Sequence, residues 1–136
     1  MTLRPLAAGD LEAVRRLRNQ DREAFFDTAE ISAEQQARWF ANLTGRAVRF
    51  LVMEEDGEVI GTISVTDTDR GSEIGNLALD HRYRGRGLMT EAVRQLTEAP
   101  GDYFAEVKPD NHPSLAVFER AGFTRSAIRV DKRSVD

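Results

Sequence analysis

The chain of 136 residues contains no cysteine. Disulfides and thiolate metal sites are excluded, and so is a mechanism in which a cysteine first takes an acyl group. Acyl transfer, if it occurs, runs directly from donor to acceptor unless another nucleophile intervenes. Long apolar runs are missing as well. None approaches the roughly 18 residues of a membrane-crossing helix, so no membrane partner is expected. The opening Met1-Thr2-Leu3-Arg4-Pro5 lacks the apolar stretch of a secretory signal, and a soluble cytoplasmic protein is the expectation. Positive charge is not in excess: the formal net charge is -4. Nucleic-acid binders usually carry a basic balance or stripe, so no nucleic-acid partner is expected. Internal repeats and low-complexity linkers are also absent.

What is present suits one domain over residues 1–136, with 40% hydrophobic composition to fill one core. Residues 2–6 read as a first strand. Asp10 is placed to cap a helix over 11–19, with Leu11, Val14 and Leu17 at helical spacing. Residues 19–31 read as a polar loop with some helix. Ser32 and Gln35 form a capping-box pattern opening a helix to about Leu43, with Trp39, Phe40 and Leu43 as its buried face. Strands follow over 48–54, 59–67 and 73–79, the first two joined at Asp56-Gly57. A helix over 87–99 carries Leu88, Ala92 and Leu96 on one face, and Pro100-Gly101 should stop it. A strand over 103–107, a helix from Pro113 to Ala121 ended by Gly122, and a strand over 123–130 complete the chain. The order β-α-α-β-β-β-α-β-α-β describes an α/β sandwich around a mixed sheet.

One stretch carries chemistry: His81-Arg82-Tyr83-Arg84-Gly85-Arg86-Gly87-Leu88, after a strand and before a helix. Glycines there let backbone approach a ligand, free N–H groups at the helix start face it, and the dipole favours an anion. Three arginines add positive charge. The pattern describes a pyrophosphate cradle, and on its own it reads as well as a tight turn with solvated arginines. It is not a nucleotide P-loop, which needs Gly-x-x-x-x-Gly-Lys-Ser/Thr, nor a dinucleotide fingerprint, because Thr90 stands at the third glycine.

The remaining Arg82-x-x-Gly85-x-Gly87 resembles the pyrophosphate motif of the GNAT superfamily of acyl-CoA-dependent N-acetyltransferases. A second block, from Asn111 through Ser114 and Phe118 to Gly122-Phe123, is similar to that superfamily's Asn-x-x-Ser/Ala-x-x-x-Tyr-x-x-x-Gly-Phe helix. The resemblance is sharp over 73–123 and looser over 3–67. Its wording is closest to the branch of ribosomal-protein N-terminal and amino-sugar acetyltransferases.

The resemblance implies a three-layer α/β sandwich whose mixed, mostly antiparallel sheet splays between strands 4 and 5. It implies acetyl-CoA as co-substrate, with no metal. Backbone of Tyr83, Arg84, Gly85, Arg86, Gly87 and Leu88, together with Arg82, would hold the pyrophosphate. Leu77, Ala78 and Leu79 would pair by main chain with the pantetheine arm, and an N–H of that strand would stabilise an oxyanion. Asn111 would bond the same arm, with Ser114 and Phe118 beside it. Ser114 also reads simply as helix-start chemistry. The acceptor, a small-molecule or peptide amine, must lose a proton, and Glu106 and Glu73 are the two candidate bases. Glu106 ranks slightly ahead because it lies next to the Asn111 block. Asp21, Glu23 and Asp27 could attract a cationic amine.

Two departures stand out. Phe118 occupies the place of a tyrosine that the superfamily uses to protonate the departing thiolate. A thiol with a pKa near ~8.5 leaves tolerably without help, so the loss should slow transfer rather than forbid it. The tail after Arg129 also leaves little room for the seventh strand such domains have. Either that strand is very short or a partner subunit completes the edge, which makes a homodimer the expectation in the second case. The leading function is transfer of acetyl to a primary amine. The alternative is an acyl-CoA-binding sensor without catalysis, motivated by Phe118.

Overall fold

The computed structural model describes residues 1–24, 29–43, 48–126 and 129–135. Asp27, one of the acidic candidates above, lies outside them.

Alternation and one tight turn build the centre of the sheet. Strand β2 (Val48–Glu55) and strand β3 (Glu58–Thr68) are antiparallel and joined at Asp56-Gly57. Both turn residues have positive φ, +51° and +78°, as a two-residue hairpin with matching twist requires. Strand β1 (Thr2–Pro5) pairs with the outer side of β2, and β4 (Gly71–Leu79) with β3. Strand β5 (Gly101–Glu106) lies parallel to β4, then β7 (Arg129–Ser134) runs antiparallel to β5, and β6 (Thr124–Ser126) forms the edge. The seven-stranded order is β1-β2-β3-β4-β5-β7-β6.

Side chains leave the sheet on both faces, so each face is covered. Phe50 and Val52 pack with Val14 and Leu17 of helix α1 (Leu11–Gln20), and helix α2 (Ala33–Ala41) adds Trp39. Met53, Ile63 and Val65 point the other way. They meet Met89 and Val93 of helix α3 (Leu88–Leu96) and Leu115 and Phe118 of helix α4 (His112–Arg120). This is the three-layer α/β sandwich with a mostly antiparallel sheet.

The splay has a local cause. Thr62 faces Ala78 but Ser64 faces Gly75, so Asn76 and Leu77 together oppose Ile63 alone. Asn76 adopts φ +54° at this bulge. Thr62 Oγ1 donates to the Asn76 carbonyl at 2.6 Å, and Asn76 Nδ2 donates to Ser64 Oγ at 2.8 Å. A bulge bends the strand that carries it. β4 touches β5 only through Ser72 with Tyr103 and Glu73 with Phe104, and then leaves it.

Several expectations change. The single strand over 123–130 is instead a three-residue β6 followed by a six-residue β7 that fills the place beside β5. The missing strand that motivated a homodimer is therefore present. Asp10 does not cap α1: its carboxylate takes Arg4 at 2.8 and 2.9 Å and the Ala7 N–H at 2.8 Å. Helix α3 ends at Leu96, before Pro100, where Thr97 Oγ1 donates back to the Val93 carbonyl at 2.9 Å. Trp39, Phe40 and Leu43 are half-buried rather than buried, and for Trp39 the reason is a pocket alongside it. The Ser32–Gln35 capping box is formed in both directions, at 3.2 and 3.0 Å. Among the described residues no helix is long and apolar enough to cross a membrane.

Candidate active site

Where β4 parts from β5, a cleft of about 1050 Å³ opens between the end of β4 and helix α4. Leu77, Ala78 and Leu79 form one wall; Asn111, Ser114 and Val117 line the other; Arg84, Gly85, Gly87 and Leu88 close one end. The loop at that end follows a 3-10 turn over His81–Tyr83. Gly85 and Gly87 have φ of +78° and +73°, and a Cβ on either would meet nothing within 4 Å, so their backbone faces open space. Gly87 is the residue before α3, whose first N–H groups have no intrahelical partner. Bare backbone, a helix start and a nearby arginine suit a pyrophosphate.

The three arginines are not equivalent. Arg84 lines the cleft and is paired with Asp21, whose carboxylate also meets His81 Nε2 at 3.0 Å. Arg82 turns away from the cleft. Its guanidinium reaches Asp80 at 3.1 and 3.2 Å and Glu58 at 2.5 Å, and these bonds with Arg82 hold Asp80 below the usual carboxylate range. Arg86 lies over the half-buried Tyr83 ring at 5.0 Å and donates to the Arg82 carbonyl at 3.4 Å. Asp21 is thus engaged with the loop rather than exposed as bait for a cationic amine, while Glu23 lines the cleft rim.

A second cavity of about 260 Å³ adjoins the first and holds both candidate bases, Glu73 and Glu106. Leu77, Asn111 and Ser114 line both cavities, so this is where the contents of the two meet. Glu73 is half-buried beside Phe104, and Glu106 is exposed at the end of β5 opposite Arg129. Burial pushes the Glu73 pKa up, the Glu106 charge adds to the rise, and Arg129 opposes it. Asn111 precedes α4 and its Oδ1 accepts the Ser114 N–H at 3.3 Å. Phe118 is 2% exposed, packed edge-on against Phe123 with centroids 5.0 Å apart. It lines the small cavity with a ring and offers no proton.

Asn76, absent from the sequence candidates, lines the same cavity and sets the bulge behind it. Its one signal is an asparagine inside a strand pattern, since asparagine tolerates the left-handed region better than most residues.

A family model described as the acetyltransferase (GNAT) domain matches residues 1–124. The chain belongs to the GNAT acetyltransferase family. This acetyltransferase is 31% identical over 140 residues to YwnH of Bacillus subtilis (strain 168), named provisionally as a phosphinothricin acetyltransferase, covering 90% of this chain and 83% of that one. Its fold is similar to that of a ribosomal-protein-alanine N-acetyltransferase from Brucella melitensis, with a TM-score of 0.84 at 19% identity over 98% and 99% of the two chains. It is also similar in fold to yncA from Salmonella typhimurium, solved with acetyl-CoA: TM-score 0.83, 18% identity, 100% and 95% covered. GNAT membership makes this acetyltransferase an acetyl-CoA-dependent enzyme.

Proposed function

We propose that the acetyltransferase moves acetyl from acetyl-CoA directly to a primary amine, with Glu73 as the base. The observation that carries this reading is the fork itself. A long cleft fit for CoA and a small cavity with two carboxylates share the wall formed by Leu77, Asn111 and Ser114. Backbone of residues 83–88 and the Arg84 guanidinium hold the pyrophosphate; Leu77, Ala78 and Leu79 hold the pantetheine arm. Acetyl-CoA supplies a thioester whose acetyl group is ready for attack. The acceptor arrives mostly as an ammonium, since alkyl amines have pKa near ~10.4, and must give up a proton. A carboxylate raised by burial and by a like charge takes that proton more readily than an ordinary one. Half-buried Glu73 fits that task better than exposed Glu106, which reverses their sequence ranking. Burial makes Glu73 more basic, and the Glu106 charge adds to it.

Thiol release from acetyl-CoA with a panel of amines tests the reading. Glu73→Gln should lower kcat by about 10²-fold or more, the usual size of a lost base, with acetyl-CoA affinity unchanged. Binding of acetyl-CoA without turnover on any amine would favour the sensor reading instead, for which Phe118 is the motive.

A further inference from the structure

Between α1, α2 and strands β2 and β3 lies a third cavity of about 290 Å³ that the chemistry above does not use. It opens beside the carboxylate cavity. Asn76 lines both, and Thr62 of the third cavity and Ser64 of the carboxylate cavity are two residues apart on one strand face. That spacing is about 7 Å. An acceptor whose amine reaches Glu73 would place its other end here.

The lining indicates what that end is. Val14, Trp39 and Phe50 make an apolar wall, with Trp39 and Phe50 edge-on at 5.0 Å. Gln36, only 7% exposed, also lines the cavity, and its side-chain amide has no hydrogen-bond partner among the described residues. That amide carries both a donor and an acceptor with which a ligand in the cavity could bond. Arg15 and Arg18 bring two guanidinium groups to the lining. Arg15 has no ion-pair partner among the described residues. Glu30, the one carboxylate among the described lining residues, is paired with Arg22 at 3.5 Å. Arg15 gives this wall a cation that an anionic group can meet.

On the reading that the chain acetylates an amine, we infer that its acceptor is an amino acid-like molecule: a primary amine joined by a short apolar body to a carboxylate or comparable anion. The anion lies against Arg15 and Gln36, the body against Trp39 and Phe50, and the amine at Glu73. Neutral peptide N-termini and polyamines lack the group that Arg15 would hold.

Three amines of equal length test this with acetyl-CoA in the thiol-release assay: 5-aminopentanoate, its amide, and 1,5-diaminopentane. A hydrogen-bonded charge is worth about 1.5–3 kcal/mol, so kcat/KM should favour the carboxylate by about tenfold or more. Arg15→Gln should raise KM for 5-aminopentanoate by about the same factor and leave KM for acetyl-CoA and the melting temperature unchanged. Arg15→Glu should turn the preference towards the diamine. Equal use of all three amines, or preference for the diamine by the unaltered enzyme, overturns the inference and leaves the acetyltransferase reading standing. A preference for the carboxylate that survives both Arg15 substitutions also overturns it. Failure with every amine while acetyl-CoA binds counts against the amine-transfer reading itself.

Discussion

Glu73 and Glu106 face the same small cavity, and the Glu106 charge adds to the rise that burial gives the Glu73 pKa. If Glu73 must be ionised to act, kcat/KM falls as the pH drops through its raised pKa. Glu106→Gln removes the repulsion, makes Glu73 easier to ionise, and should move that acid limb to lower pH. An acid limb that stays in place would assign the base elsewhere. Gly87 acts by having no side chain. At φ +73° any other residue pays about 1–2 kcal/mol, and a glutamate also points a negative charge into the space proposed for the pyrophosphate. Gly87→Glu should therefore abolish acetyl-CoA binding by calorimetry, whereas Gly87→Ala carries the strain without the charge and should retain most of it.

At the level of elements, the bulge in β4 is the feature that makes a site out of a sheet. Asn76 takes the left-handed conformation and ties itself to Ser64, and β4 has left β5 just before it. Asn76→Val places a β-branched residue where φ is positive and removes the Ser64 bond. It should cost about 2 kcal/mol of stability in urea unfolding, and turnover should fall with it. Asn76→Gly keeps the backbone freedom and should lose less of both. The sequence made most elements legible because their signals are short-range. The Asp56-Gly57 turn, the Ser32 capping box and the Gly122 stop each depend on a few consecutive residues. The bulge was not legible, because it is a misfit in register between β3 and β4 and only exists once the two are paired. Asp10 shows the same limit. Its neighbours mark it as a helix cap, yet Arg4 of β1 claims its carboxylate.

Over the whole molecule, ion pairs that the fold holds in place make stability depend on pH. Arg4 holds Asp10, and Arg82 holds Asp80, below the carboxylate value of 3.8. An acid with a depressed folded pKa stabilises the fold fully above its unfolded value and gives that up as pH falls through the folded one. Glu73 works in the opposite sense. Its pKa lies above 4.5 in the folded state, so its charge costs stability near neutrality, and the cost is relieved as pH falls through the raised value. Urea unfolding should then show stability dropping below about pH 3.8 through Asp10 and Asp80. Asp10→Asn should flatten part of that drop. A variant as acid-sensitive as the unaltered protein would remove Asp10 from the account.

By itself the sequence determined the order of strands and helices as far as helix α4, the absence of any cysteine chemistry, and the two blocks around Gly85–Gly87 and Asn111–Phe123 that resemble a CoA-binding fold. Each follows from composition or from neighbours along the chain. Tertiary structure alone decided that Arg84 lines the cleft while Arg82 turns to Asp80 and Glu58, and that a seventh strand fits beside β5. It also decided that Glu73 is the more buried of two carboxylates sharing one cavity, and that Gln36 and Arg15 line another. Burial, charge neighbours and register are properties of residues far apart in sequence, and they take values only when the chain is folded.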